Sequence, residues 1–184
     1  LVKIANTYYN NNSKFTYNAT TPCDFKNPAE NISKWKVNGK YQIDDSCFLN
    51  LVLTGWTYEK SPYGDEKKTN NNRNNNMSWA IPSTRNEANI GKYFVQKNWV
   101  VDVADLETFT NLSVGDIIFM DADTKNNGEF MAISHTAIVV EKDKDGDYVA
   151  LECTNGLSSG VFRKVKVKNL ASKNILFVGR FMIG

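Results

Sequence analysis

The 184 residues predict an α+β fold, with helices in the first part of the chain and a mainly antiparallel sheet in the second. Three observations carry this. Leu1, Ile4, Ala5 and Tyr8 fall at helical spacing, and so do Ala88, Ile90, Tyr93 and Phe94 within Asn86–Asn98. From Gly115 onward the period changes to strand-like runs. The segments between those runs read DKDGD, TNGLSSG and ASKN, which is strong turn chemistry.

In order, a short amphipathic helix opens the chain. The segment from Asn10 to Asn38 is rich in Asn, Ser, Thr, Lys and Pro, yet carries Phe15, Tyr17 and Trp35. Aromatic side chains need a place to pack, so an ordered loop is expected there rather than a linker. A helix follows, bearing Cys47 and ending near Thr54–Gly55, where the glycine suits a helix C-terminus. The second long helix is expected over Asn86–Asn98. Strands are expected at Gly115–Asp121, His135–Glu141, Asp147–Cys153, Gly160–Val167 and Ile175–Phe181, the last three forming an antiparallel meander. The whole, 1–184, reads as one domain with an Asn-rich insertion around 64–78, where the sequence runs KKTNNNRNNN. There is no internal repeat.

Composition excludes several classes. Hydrophobic residues at 41% and charged residues at 23% are ordinary for a folded globular chain. A net charge of +2 with scattered basic residues gives no electrostatic footprint for nucleic acid. FRKVKVK at Phe162–Lys168 alternates charge with apolar residues, as the wet face of a half-buried strand does. No run approaches the ~20 apolar residues of a membrane span. LVKIANTYYN lacks the parts of a signal peptide, and the chain opens without methionine, as a processed product or an excised domain would.

The cysteines are Cys23, Cys47 and Cys153, and the single histidine is His135. An odd count leaves at least one thiol free unless it pairs between chains, so a disulfide framework is not expected. With no CxxC and one histidine, a Cys/His zinc site is short of ligands, so no metal is expected.

These few residues still supply the parts of a thiol mechanism. A cysteine at a helix start is favoured as thiolate by the N–H groups and dipole there. A histidine within reach serves as base and then acid, and a third polar group orients its ring. Cys47 sits at the start of its helix, and His135 opens a strand. A hairpin into Asp147–Cys153 brings Glu152 alongside His135, with Asn155 a weaker substitute. Backbone N–H groups at the helix start would hold the oxyanion. Taken singly, the plain readings are a small buried cysteine, a capping histidine and a solvent-facing Glu152, with Cys153 pointing into the core.

The order of segments also resembles a family. DxSxF at a helix start, then LSVGDIIFMD, SHTAIVV and ALECTNG, is similar to the NlpC/P60-like cysteine peptidases, most strongly over Ile43–Val161. That resemblance implies a papain-like fold, with the nucleophile-bearing helix packed on the antiparallel sheet. It implies cleavage of peptidoglycan stem peptides by Cys47, His135 and Glu152 with no cofactor, at a cell wall or virion surface. KFTY resembles the family's aromatic segment before the nucleophile, making Tyr17 a substrate-side residue together with Asp45 and Asn155. GWTYEKSPY resembles tail-associated lysins of phages infecting Gram-positive bacteria.

One departure leaves two alternatives. Phe48, Leu49, Val52 and Leu53 match the family's apolar spacing only if Asp45 occupies the nucleophile position. Two helical residues are a rotation of roughly 200°, so Asp45 and Cys47 cannot share one role. Either the helix begins later than in the family and Cys47 attacks, or Asp45 caps the helix and the chain is a binding or structural module without turnover.

Overall fold

The computed structural model describes residues 1–20, 36–53, 55, 86–101, 111–123 and 128–182. The expected Asn-rich insertion, Cys23 and Trp35 lie outside them. The fold is mixed α+β, with three α-helices among the described residues: α1 (Val2–Asn10), α2 (Asp45–Leu53) and α3 (Glu87–Gln96). No described helix is long and apolar enough to cross a membrane. The chain divides into two compact units, one of Leu1, Lys3–Arg85 and Cys153–Phe162, the other of Val2, Asn86–Glu152 and Arg163–Gly184.

In the first unit, the stretch read as loop contains strand. β1 (Phe15–Tyr17) lies parallel to β3 (Lys40–Ile43), and β2 (Lys36–Val37) pairs antiparallel with β3. The β2–β3 turn is Asn38-Gly39, both at positive φ (51° and 77°), the conformation that suits a two-residue hairpin turn. Tyr8, Phe15, Phe48 and Phe162 meet with ring centroids 5.0–5.9 Å apart, which is where the expected aromatic packing is found. Asn12 ties this core to the segment before β8. Its Oδ1 accepts the N–H groups of Val161 and Phe162 at 2.7 and 3.0 Å, and its Nδ2 donates to Phe162 O at 2.7 Å.

The second unit holds a six-stranded sheet in the order β4-β9-β5-β6-β7-β8. Its strands are β4 (Val100–Val101), β5 (Ile117–Met120), β6 (His135–Lys142), β7 (Tyr148–Cys153), β8 (Phe162–Lys166) and β9 (Ile175–Gly179). The expected meander is corrected here. β5 to β8 are sequential neighbours, but β9 returns to the far side of β5, with Ile118 opposite Val178. A 3₁₀ segment, Val167–Lys173, carries the chain back, and burial of its Val167 and Leu170 with Ile118, Val139, Ala150 and Val178 gives the return a core to close on.

α3 covers other side chains of this sheet. Asn86 caps it through Oδ1, which accepts the N–H groups of Ala88 and Asn89. A β-carbon at Gly91 would stand 2.6 Å from Ile133 Cδ1, so a larger residue there would need the Ile133 side chain to shift. Phe119 stacks on Phe177 at 4.6 Å and meets Phe94 of α3 at 5.7 Å.

Candidate functional site

His135 and Glu152 stand together in the second unit. The antiparallel register pairs Ile138 with Leu151, so Glu152 falls across from Ala137 and on the face that His135 shares. His135 Nε2 lies 2.6 Å from Glu152 Oε2, and the Glu152 side chain is fully buried. Its other oxygen, Oε1, accepts the Nε–H of Arg163 at 2.5 Å. A carboxylate buried this deeply needs an opposite charge and full hydrogen bonding, and the guanidinium supplies both. The plain reading of Glu152 as a solvent-facing residue is therefore corrected. Asn155 stands exposed in the turn after β7, its Oδ1 accepting the N–H of Gly156 at 2.9 Å, and the carboxylate at His135 Nε2 is that of Glu152.

Tyr17, Asp45 and Cys47 belong to the first unit. β1 runs beside β3 with Tyr17 opposite Ile43, which brings the Tyr17 hydroxyl to Asp45 Oδ1 at 3.4 Å. α2 begins at Asp45, and Cys47 is its third residue. Ser46 through Leu53 are all buried, so the helix is enclosed on every side.

The cap belongs to Asp44 rather than Asp45. Asp44 O accepts the first helical bond from Phe48 N–H at 2.9 Å, while Asp44 Oδ1 accepts from Cys47 N–H at 2.8 Å and Ser46 Oγ at 2.9 Å. Asp45 Oδ1 also accepts from Ser46 N–H at 3.1 Å. The donors expected to hold an oxyanion are thus directed at carboxylates, and an oxyanion brought there would meet negative charge.

Cys47 is disulfide-bonded. In this state Cys47 has no thiolate with which to attack. Cys153 carries its thiol and is buried, as expected.

Sequence reasoning missed Arg163, which was read only as part of a strand's wet face, and Asp44 as the capping residue. It also missed the partner of Asp116 in the LSVGD turn. Arg180 clamps Asp116 through Nε to Oδ1 and Nη2 to Oδ2, both at 2.7 Å, and donates to Asn111 O at 2.9 Å. The Asp116 hydrogen bond holds Arg180 above its ordinary pKa. No group of three or more His, Cys, Asp or Glu side chains among the described residues could hold a metal ion.

No protein-family model matches the chain, and searches of curated proteins and of solved structures give no match.

Proposed function

We propose that the chain is a catalytically silent NlpC/P60-like module of papain-like fold that binds peptidoglycan stem peptides without cutting them, as part of a cell-surface or phage-tail protein. The observation that carries this is the start of α2. Its N–H groups donate to the carboxylates of Asp44 and Asp45, and its cysteine is tied in a disulfide. An aspartate in the family's nucleophile position is a poor substitute for a thiolate in acyl transfer, whereas Asp45 with the Tyr17 hydroxyl suits recognition of a peptide amino group. A disulfide also fits an oxidising, extracellular setting. The experiment is co-sedimentation of the oxidised protein with purified insoluble peptidoglycan. Retention that weakens in Asp45→Ala supports the module, and absence of retention on walls of several Gram-positive species rejects it.

The buried His135–Glu152 pair favours a second reading, a Cys-His-Glu peptidase that works only when Cys47 is reduced. It predicts release of new amino groups from peptidoglycan after mild reduction, and loss of that release in Cys47→Ala.

A further inference from the structure

We infer that Arg163 is the positioning residue of the histidine: by anchoring Glu152 it fixes His135 in the tautomer protonated at Nε2, with Nδ1 as the acceptor. This does not rest on the module or the peptidase reading, since it concerns the array itself.

The geometry is a chain of three groups. Arg163 Nε–H donates to Glu152 Oε1 at 2.5 Å, and Glu152 Oε2 stands 2.6 Å from His135 Nε2. The carboxylate sits between them with its side chain wholly buried, while His135 is 7% exposed. A neutral imidazole has one donor and one acceptor nitrogen, and the hydrogen bond made by one nitrogen settles the other. Glu152 can act only as an acceptor at Nε2 while it is a carboxylate. A carboxylate buried without a cation gains a proton instead, and would then donate to Nε2 and drive the ring proton to Nδ1. The Arg163 guanidinium prevents that reversal. It approaches from β8, on the other side of β7 from His135, so its effect on the ring passes through Glu152. Any group that meets Nδ1 must therefore donate to it, whether a ligand N–H or a thiol.

The test uses the fact that His135 is the single histidine, so its ring nitrogens are the only imidazole signals in the ¹⁵N spectrum of the full chain. At a pH where the ring is neutral, the wild type is expected to show a protonated Nε2 and a bare Nδ1. Arg163→Gln, checked for a retained amide fingerprint, is expected to shift the tautomer ratio toward Nδ1–H by about tenfold, the scale of one charge-assisted hydrogen bond. Arg163→Lys, which keeps the charge, is expected to restore most of the wild-type pattern. A folded Arg163→Gln protein with an unchanged ratio overturns the inference. So does a wild-type ring protonated at Nδ1, a result that needs no variant to fold.

Discussion

The backbone N–H of Cys47 donates to Asp44 Oδ1 at 2.8 Å, so the residue that reads as a nucleophile has its amide committed to a helix cap. The same carboxylate oxygen accepts from Ser46 Oγ, and Asp44 O takes the first bond of the helix. Two neighbouring carboxylates, Asp44 and Asp45, thus take the N–H groups of Cys47 and Ser46 at this helix start.

Asp44→Ala is expected to destabilise the protein by about 1–2 kcal/mol, the usual cost of deleting an N-cap acceptor, and Asp44→Asn by much less. Urea unfolding of the two variants beside the wild type checks this. Equal losses in both would mean that charge, not the cap, is what matters.

The disulfide predicts a simple labelling pattern. Iodoacetamide applied to the unfolded, unreduced protein should modify Cys153 and leave Cys47 unmodified until a reductant is added. Peptide mass mapping reads both sites in one digest, and labelling of Cys47 before reduction would remove the disulfide from the account.

The Arg180–Asp116 clamp holds the LSVGD turn, with Asp116 buried and Gly115 at φ 102°. Arg180→Ala leaves that carboxylate without its guanidinium and is expected to cost about 2–3 kcal/mol. Asp116→Asn with Arg180→Ala together should cost less than the sum of the single changes, as a double-mutant cycle in thermal unfolding would register.

Acid should reveal the turn between β6 and β7. Hydrogen bonds from Lys166, then Lys168, hold Asp147 below its ordinary value of 3.8. For Asp143 the largest influence, burial, acts upward, but the Asp147 N–H and Lys166 outweigh it, so it too is lowered. A lowered folded pKa gives stability that is present above the unfolded value and lost as pH falls through the folded one. The unfolding midpoint should therefore drop as pH falls below about 4, with a shallower drop in Lys166→Met. Both carboxylates lie half-buried at the surface, where solvent screens them, so the change should be small.

Much of the fold was legible because its elements keep strict periods. α1 places Ala5 and Tyr8 inward, α3 lies within Asn86–Asn98, and the five expected second-half strands all occur within a residue or two of their predicted ends. What escaped was short or non-local. β1 and β2 have three and two residues, too few for a period, though Asn38-Gly39 was a readable hairpin signal. The placement of β9 beside β5 depends on which apolar faces close the core, which the order of strands alone does not state.

The site divides in the same way. The His135–Glu152 pair followed from the alternation of two strands joined by a tight turn, so it could be read in advance. The cap was less legible, because Asp44 and Asp45 are both good N-cap residues and the hydrogen bonds of Cys47 and Phe48 to Asp44 single it out only in the folded chain. Arg163 looked like one more charge on a wet face, because its partner Glu152 lies on the neighbouring strand β7, a pairing that the charge pattern of β8 alone does not reveal.

The most direct measurement is release of new amino groups from purified peptidoglycan, with the protein assayed both oxidised and after mild reduction. The silent-module account predicts no release in either state while the protein still sediments with the wall. Release by the reduced protein that disappears in Cys47→Ala would contradict it and establish a thiol peptidase instead.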